Sequence, residues 1–365
     1  MHIPLSQADI GQAEIDAVMT VMKSGRLAIG PMVQKFEKAV ADFVGARHWI
    51  AVSSGTCALH LTLLAAKVGP GDEVITTSFS FVASANAIVH VQARPVLVDV
   101  DPKTWNIDPA SIEKAITPRT KAILPVHVFG QVCDMDRIMA IAARHNLRVI
   151  EDACEALGGR YNNRPAGTFG DAGTFAFYPN KQLTTGEGGI VVTNDDELAE
   201  VVRSLRNQGR PPQGKWLEHH RLGYNFRMPE LSAALGVAQM GRIETLLANR
   251  ARVARWYMDR LSNDNRLSFQ KMPSNIHMSW FVMVLRLNDS YTLQDRNRII
   301  DTLRSEGIES NDYFPAIHLQ SFYQEMLGMG PGSLPVCEAL CERTLAVPFH
   351  GQMTEAQVDT VCTRL

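Results

Sequence analysis

Short apolar runs recur along the first half of the chain, and amphipathic stretches separate them. The runs predict buried strands, and the stretches, with apolar residues three or four apart, predict helices. Alternation of this kind is typical of a mainly parallel sheet covered by helices on both faces, in which ligands bind beyond the carboxyl ends of the strands. The predicted strands are 49–53, 73–77, 95–99, 121–126 and 147–151, and the predicted helices are 56–67, 81–92, 109–116 and 134–145.

Two amphipathic helices are predicted ahead of this series. The second runs from Met32 to Gly45. The first covers residues 8–24, ends at Gly25, and places on one face the apolar side chains of Ile10, Ile15, Val18, Met19 and Met22.

The stretch 170–194 contains an apolar run at 174–177, a break at 178–180 and a second apolar run at 190–192. This pattern predicts two buried strands joined by a turn that carries Lys181. Burial disfavours an ammonium ion and lowers the pKa of an amine, which prepares it for nucleophilic or Schiff-base chemistry. A surface lysine on a hairpin loop fits this stretch, taken alone, equally well.

The pattern changes beyond about residue 250. A helix to about Leu205 and a long helical stretch from Pro229 to Leu261, broken near 246–249, precede the change. A chain of 365 residues exceeds the size at which a single core usually stops growing. We therefore expect a large α/β domain at 1–248 and a smaller α+β domain at 249–365. In the smaller domain a strand is predicted at 278–287, a helix at 292–306 and an aromatic-rich loop at 312–324. A helix at 335–343, a strand at 344–348 and a helix at 354–364 follow.

Charge and cysteine content narrow the class of protein. The formal net charge of −2 provides no basic field, which argues against nucleic acid or an anionic membrane as a partner. No apolar stretch approaches the roughly 18 residues of a membrane span, and the N-terminal segment does not resemble a signal peptide. Six scattered cysteines fit a reducing cytoplasm. Cys337 and Cys341 are four residues apart and offer a metal-binding pair, but buried small hydrophobes are the simpler interpretation, and no metal site is predicted.

Two segments carry candidate chemistry near strand ends. Residues 53–58, SSGTCA, follow the first strand and begin a helix. The free amides and small residues at this helix start would bind a phosphate. A simple helix cap by Ser54 or Thr56 is the alternative, and it needs no ligand. Residues 151–155, EDACE, place carboxylates at the end of a central strand. Buried carboxylates require a matching charge, so a cation is expected near Asp152, and a protonated heteroaromatic nitrogen satisfies it better than helix capping does.

A lysine, an acid for a ring nitrogen and a helix start for a phosphate together describe a pyridoxal phosphate site. The chain that carries these features resembles the DegT/DnrJ/EryC/StrS family of sugar-nucleotide aminotransferases, which are fold-type-I pyridoxal phosphate enzymes. The resemblance implies an aspartate-aminotransferase-like fold: a mainly parallel mixed sheet flanked by helices, with a smaller C-terminal α+β domain. It covers nearly the whole chain and rests on the ordered segments SSGTCALHL, GPGDEVITTSFSFVASAN, PVLVDVDPKTWNIDP, PVHVFGQVCDMD, EDACEALGG, FYPNKQLTTGEGG and LGYNFRMPELSAALG.

The resemblance also implies roles for individual residues. Lys181 matches the lysine that holds the cofactor and shuttles the proton, and Asp152 matches the acid that pairs with the ring nitrogen. Glu155 stands where many members have Gln or His beside the ring hydroxyl. Phe81 matches the aromatic that stacks on the ring, although its spacing alone fits a core aromatic equally well.

Four further positions concern the cofactor phosphate. Gly55 and Thr56 match phosphate ligands. Asn225 matches an asparagine that reaches the phosphate from the neighbouring subunit, which implies a homodimer with shared active sites. Ala176 departs from the pattern, because many members carry at this position a serine that also binds the phosphate.

Substrate contacts are predicted at His219, Arg227, Tyr313 and His318. The first two lie in an arginine-rich stretch, 203–227, that contains many basic residues and one acidic residue, Glu218. Most such basic runs are solvated faces of a protein. His219 and His318 also fit a structural role. In the context of this family, the arginines suit the diphosphate of a nucleotide sugar.

The resemblance implies that glutamate or glutamine donates an amino group to a keto sugar, in the biosynthesis of polysaccharide or antibiotic sugars. The chain most resembles the perosamine-synthase-like members of the family, which suggests a nucleotide-linked 4-keto-6-deoxyhexose as the substrate. A cyclitol ketone is an alternative substrate. Related dehydratases carry His in place of the lysine, and a regulator on the same fold would be expected to lose Lys181 or Asp152, so the presence of both favours a transaminase.

Overall fold

The computed structural model describes residues 2–211, 215 and 217–365. Two helices come first and both pack against the later helix Glu230–Met240, and the second also contacts an edge strand of the main sheet. Strands and helices then alternate as the sequence predicts. The elements up to the end of this series are α1 (Gln12–Ser24), α2 (Pro31–Val44), β1 (His48–Val52), α3 (Gly55–Ala65), β2 (Glu73–Thr77), α4 (Ala83–His90), β3 (Arg94–Val98), α5 (Pro109–Ala115), β4 (Thr120–Ile123), α6 (Met135–His145) and β5 (Arg148–Asp152).

The remaining elements divide between the main sheet and the C-terminal region. They are β6 (Arg160–Tyr161), β7 (Arg164–Pro165), β8 (Ala172–Ala176), β9 (Gly189–Thr193), α7 (Asp196–Arg206), α8 (Glu230–Met240), α9 (Ile243–Leu261), β10 (Leu267–Ser268), β11 (Ile276–His277), β12 (Met283–Leu287), α10 (Leu293–Ser305), β13 (Asn311–Asp312), α11 (Ser321–Leu327), α12 (Pro335–Arg343), β14 (Thr344–Val347) and α13 (Glu355–Arg364).

The main sheet has seven strands in the order β1-β9-β8-β5-β4-β2-β3. The pairings from β8 to β3 are parallel, whereas β9 runs antiparallel to both of its neighbours, β8 and β1. The predicted mainly parallel mixed sheet flanked by helices is therefore confirmed. Because every strand except β9 runs in the same direction, the carboxyl ends of β1, β2, β4, β5 and β8 lie at the same edge of the sheet.

The predicted pair of strands around Lys181 is present as β8 and β9. Phe175 pairs with Ile190 in the antiparallel register, and both side chains are buried. The amide of Phe177 donates to the carbonyl of Gly188 at 2.9 Å, which closes the base of the connecting loop. The loop that carries Lys181 is therefore anchored at both ends on buried strands, which limits where the lysine side chain can lie.

A second, antiparallel sheet with the order β10-β12-β14-β13 lies in the C-terminal third of the chain and has its own buried cluster. The N-terminal residue Ile3 belongs to that cluster: it is fully buried and forms a parallel bridge with Ile308. The predicted boundary between 248 and 249 falls inside α9, so the division into two domains stays a prediction. A small third sheet, β11-β6-β7, completes the strands of the described residues.

Several details differ from the sequence prediction. The predicted strand 278–287 is shorter, because β12 begins only at Met283. The long helical stretch breaks at Gly241 and Arg242, between α8 and α9, rather than at 246–249. The loop predicted at 312–324 contains the start of α11, because its aromatic residue Tyr323 packs as a buried helical side chain. Finally, α1 begins at Gln12 rather than at residue 8.

The helix α1 is also anchored differently from what its apolar pattern suggests. Glu14 is buried, and its carboxylate accepts hydrogen bonds from Gln239 at 2.8 Å and from Arg242 at 2.7 Å. Ile15, Met19 and Met22 are instead 49 %, 47 % and 51 % exposed. These three side chains, at spacings of four and three residues, form an apolar stripe on the surface of this chain.

Candidate active site

A cavity of about 470 Å³ lies at the sheet edge where the carboxyl ends of the parallel strands meet. Each of several strand ends contributes to its wall, as expected for an α/β sheet of this type. The structure thereby brings together seven of the residues singled out in the sequence: Gly55, Thr56, Phe81, Asp152, Glu155, Lys181 and Tyr313.

The side chain of Lys181 is only 13 % exposed, so it is not a surface lysine on a hairpin. Its Nζ lies 3.5 Å from Oε1 of Glu155 and 3.8 Å from the ring centroid of Phe281. A carboxylate and a ring face both attract a cation, and both hold the amine inside the cavity.

The main chain on either side of Lys181 is held by a buried arginine, Arg250 of α9. Its guanidinium donates to the carbonyl of Lys181 at 2.7 Å, to that of Asn180 at 3.2 Å and to that of Phe281 at 3.0 Å. Burial lowers the pKa of Arg250 to about 10. One side chain thus fixes both the backbone of the lysine and the aromatic residue that lies against its amine.

Asp152, at the end of β5, is 5 % exposed. Its Oδ2 accepts a hydrogen bond of 2.7 Å from Oγ of Ser84, and its Oδ1 accepts one of 3.2 Å from the amide of Cys154. No ion pair joins it to a cation within the described ranges, and it caps no helix there. Its carboxylate therefore faces the cavity with capacity to accept from a protonated ring nitrogen.

The other two carboxylates of the EDACE segment have separate tasks. Glu151 is fully buried, and its carboxylate accepts hydrogen bonds from the amides of Gly167 and Gly170. It also contacts His127 at 3.0 Å. Glu151 therefore holds the loop 167–170 in place. Glu155 accepts from the amide of Phe129 at 2.8 Å and faces Lys181 with its other oxygen. Burial raises the pKa of Glu155, and the charge of Lys181 offsets part of that rise.

The start of α3 forms the opposite end of the cavity. Oγ of Ser54 caps the helix by accepting from the amide of Cys57 at 3.1 Å, while the amides of Gly55 and Thr56 have no acceptor among the described residues. A Cβ added to Gly55 would lie 2.6 Å from Cβ of Ala176. Only glycine fits here, and its small size leaves the two free amides open to an anion at a helix N-terminus.

These features fit pyridoxal phosphate. The free amides at the start of α3 match the phosphate, the carboxylate of Asp152 matches the ring nitrogen, and the amine of Lys181 matches the aldehyde. Phe81 is 60 % exposed at the mouth of the cavity, where its ring is available to stack on a flat ligand. Among the described residues no group of three or more His, Cys, Asp or Glu side chains is arranged to hold a metal ion, and no helix is long and apolar enough to cross a bilayer.

Four of the predicted residues lie elsewhere. His318 is fully buried, with its ring nitrogens 2.7 Å from Oγ of Ser78 and 3.0 Å from Oε1 of Glu338, and this placement does not support a substrate contact. His219 is exposed and contacts the carbonyl of Gln208 at 2.7 Å, outside the cavity. Asn225 is exposed and does not line the cavity of its own chain. Arg227 lines a different, arginine-rich cavity.

Three residues at or behind the site are not evident from the sequence: Ser84, Arg250 and Phe281. Each acts through a partner at least 68 residues away along the chain. No local pattern distinguishes them from an ordinary helical serine, a helical arginine or a core aromatic.

Comparisons with known proteins agree with this geometry. Residues 8–365 match the model of the DegT/DnrJ/EryC1/StrS aminotransferase family. The chain is 43 % identical over 356 residues to GDP-perosamine synthase of Caulobacter vibrioides, covering 96 % of this chain and 94 % of that protein.

Solved structures agree as well. The PMP form of the putative sugar aminotransferase Spr1654 of Streptococcus pneumoniae superposes with a TM-score of 0.95 at 28 % identity, covering 100 % of this chain and 96 % of the other. PseC of Helicobacter pylori, an aminotransferase involved in the biosynthesis of pseudoaminic acid, gives a TM-score of 0.94 at 28 % identity, covering 100 % and 98 %.

Proposed function

The chain belongs to the DegT/DnrJ/EryC1/StrS aminotransferase family and is a pyridoxal-phosphate-dependent sugar aminotransferase, and we propose that it moves an amino group from glutamate or glutamine to a nucleotide-linked 4-keto-6-deoxyhexose. The observation that carries the proposal is that Lys181, Asp152 and the open start of α3 line one cavity. The relative named for a GDP-linked product supports a nucleotide sugar.

Pyridoxal phosphate, when bound, supplies an electron sink for a carbanion beside the reacting nitrogen. In this proposal the amides of Gly55 and Thr56 would hold its phosphate, Asp152 would hold its ring nitrogen, and Phe81 would cover one face of the ring. The amine of Lys181 would hold its aldehyde.

Proton movement falls to Lys181. Once its amine is free, Nζ takes a proton from the substrate carbon and returns it, acting first as base and then as acid. The nearby Glu155 carboxylate, 3.5 Å from Nζ, orients the amine and exchanges protons with it. Arg250 keeps the backbone of the lysine in place during these changes.

A homodimer is part of the proposal. Asn225 is exposed and absent from the cavity of its own chain, as expected of a side chain that completes the site of a second copy. The apolar stripe of Ile15, Met19 and Met22 offers a surface that a second copy would cover.

The chemical proposal is tested with purified, cofactor-loaded protein. Glutamate should bleach the visible absorbance of the lysine-bound cofactor, and a nucleotide-linked 4-keto-6-deoxyhexose should restore it. Lys181→Ala should abolish both the absorbance and turnover, whereas Lys121→Ala, at an exposed position on β4, should change neither. Turnover retained by Lys181→Ala would refute the role of the amine. Amination of a keto-inositol in preference to every nucleotide sugar would replace the proposed substrate by a cyclitol.

Shared sites are tested by mixing two inactive variants, Lys181→Ala and Asn225→Ala. In a mixed dimer one site carries both substitutions and the other carries neither. Statistical exchange should therefore restore about a quarter of wild-type activity. No recovery after verified subunit exchange would show that Asn225 serves the site of its own chain. Full activity of Asn225→Ala by itself would show that it serves no site.

A further inference from the structure

A separate cavity of about 180 Å³ lies between the loop that joins β3 to α5 and the start of α6. The short strands β6 and β11 also contribute to its wall, through Tyr161 and Ile276. Among the described residues that line this cavity, none also lines the active-site cavity. The proposed transamination therefore does not account for its chemistry.

The charged side chains of this acidic cavity do not balance. Three are carboxylates, Asp101, Asp108 and Asp134, and one is the guanidinium of Arg137. Nη1 of Arg137 lies 3.9 Å from Oδ2 of Asp134, and a long ion pair at an exposed position contributes little. Three negative charges and one positive charge leave the described lining with a formal charge of −2.

The hydroxyl donors of the lining are already used by carboxylates. Oγ1 of Thr104 donates to Oδ1 of Asp101 at 3.1 Å. The phenol of Tyr161 lies 3.2 Å from Oδ1 of Asp134 and 3.0 Å from Oδ2 of Asp136. Burial and these two carboxylates raise the pKa of Tyr161 to about 12, so the phenol keeps its proton and its donor role. Oδ2 of Asp101, in contrast, accepts from no other described residue and is open to a donor from outside.

A buried amide on the wall, that of Gln131, points to a ligand that donates. Gln131 is 1 % exposed, and its Nε2 donates to the carbonyl of Lys271 at 3.1 Å, whereas its Oε1 has no hydrogen-bond partner among the described residues. A buried carbonyl oxygen without a donor is destabilising, so an N–H from a ligand would satisfy it. The neighbouring Gln270 shows the same pattern: its Nε2 donates to the carbonyl of Thr104 at 2.6 Å, and its buried Oε1 lacks a partner in the described part of the chain. This side of the cavity therefore offers acceptors that await a donor.

Charge and hydrogen bonding together select the class of ligand. An alkylammonium group carries three N–H donors, one positive charge and no acceptor, which complements this lining. A calcium or magnesium ion would need several converging oxygen ligands, and the described residues contain no group of three or more His, Cys, Asp or Glu side chains that could hold a metal. The formal charge of −2 matches two ammonium groups, and the volume lies below the roughly 300 Å³ at which sites for drug-sized ligands begin, so the ligand is small.

We propose that this acidic cavity binds a small aliphatic diammonium ion. Asp101 and Asp134 hold its two ammonium groups, and Oε1 of Gln131 is a further acceptor. The site uses neither the cofactor nor the keto sugar, so it goes beyond the proposed function and can be tested independently of it.

The test is isothermal titration of the cofactor-loaded full chain with 1,4-diaminobutane at about 0.15 M salt, where exposed charges are largely screened. Asp101→Asn and Asp134→Asn should each weaken binding by about tenfold or more, because each removes a charged hydrogen bond. Both should keep the wild-type melting temperature, since an asparagine oxygen can still accept the local backbone hydrogen bonds. Gln131→Met keeps the length of the side chain but removes the acceptor, and it should weaken binding as well. Asp259→Asn, at an exposed position on α9, should bind as wild type does.

Two further ligands separate an ammonium site from other cation sites. The hexamethyl derivative of the diamine has the same charge without N–H donors and should bind about tenfold more weakly or less; equal affinity would overturn a hydrogen-bonded ammonium. Magnesium chloride should not displace the diamine, and displacement at a higher affinity would make the cavity a metal site. Unchanged affinity in both aspartate variants, an equal loss in Asp259→Asn, or no binding of the diamine by wild type would each overturn the proposal.

Discussion

Oγ of Ser84, in the first turn of α4, donates a hydrogen bond of 2.7 Å to Oδ2 of Asp152 at the end of β5. Ser84 itself contacts Oγ of Ser80 at 3.1 Å. The carboxylate that we propose holds the ring nitrogen is therefore oriented by a helix on one side of the sheet, and the amide of Cys154 supplies its second donor.

Replacing this donor should weaken the hold on the cofactor. We expect Ser84→Ala to raise the dissociation constant for pyridoxal phosphate by about tenfold, because a hydrogen bond to a charged group contributes about 1.5–3 kcal/mol. Equilibrium dialysis or fluorescence titration of the apoprotein measures the change. Ser80→Ala is the matched control, since it leaves the contact with Asp152 intact; equal losses in the two variants would contradict the assigned role.

The start of α3 gives a second prediction. In Gly55→Ala the new methyl carbon would meet Cβ of Ala176 at 2.6 Å and Sγ of Cys154 at 3.0 Å, so the helix start must move away from the sheet. We expect cofactor affinity to fall by at least tenfold, because the two free amides would no longer lie at the phosphate. Gly69→Ala, whose added Cβ meets nothing within 4 Å, should bind the cofactor as wild type does. Normal affinity in Gly55→Ala would remove the start of α3 from the site.

Arg250 gives a third prediction. Lysine at this position is a point charge and cannot reach the three carbonyls that the guanidinium fork contacts. Arg250→Lys should therefore lower kcat by about 10- to 100-fold through displacement of Lys181, and it should slow the bleaching by glutamate to the same degree. Arg252→Lys, an exposed neighbour on α9, should have little effect on either rate. A loss of thermal stability with unchanged bleaching would make Arg250 a purely structural residue.

The fourth prediction concerns pH. His350 is 3 % exposed, and its ring nitrogens have no hydrogen-bond partner among the described residues. Burial, followed by the charge of Arg250, lowers its pKa from 6.5 to about 4. Between these two values the unfolded chain binds a proton that the folded chain does not, so the contribution of His350 to stability is complete above pH 6.5 and is lost as the pH falls towards 4.

Denaturant titrations at several pH values between 7.5 and 4.5 measure this contribution. In His350→Gln the free energy of unfolding should fall less steeply below pH 6.5 than in wild type. His145→Gln, at an exposed position on α6, should follow the wild-type curve. Parallel curves for wild type and His350→Gln would show that His350 is not the group that titrates.

The parts of the fold that the sequence predicts are those defined by local pattern. The strands around Lys181 were predicted because two apolar runs flank a short polar turn, and β8 and β9 are placed there. The candidate cofactor-binding positions Asp152 and Glu155 are predicted from one short segment, EDACE. In both cases the decisive residues lie close together in the sequence.

The parts that the sequence misses depend on contacts between distant residues. Ser84 and Asp152 are 68 positions apart, and Arg250 and Lys181 are 69 apart, so neither contact leaves a local pattern. The ion pair of Lys181 is with Glu155, a contact that the sequence does not indicate, and the cation expected beside Asp152 stays a prediction. The apolar face predicted for α1 is exposed in this chain because Glu14, rather than the apolar residues, anchors the helix to Gln239 and Arg242.

The bridge between Ile3 and Ile308 has a consequence for how the protein is made. Ile3 has its place in the core only after the segment that carries Ile308, more than 300 positions further along the chain, has been synthesised. Contacts of such long sequence separation form late in folding, because the intervening chain must first be ordered. The segment around Ile3 is therefore among the last parts of the C-terminal core to take its place, although it precedes every strand of the main sheet along the chain.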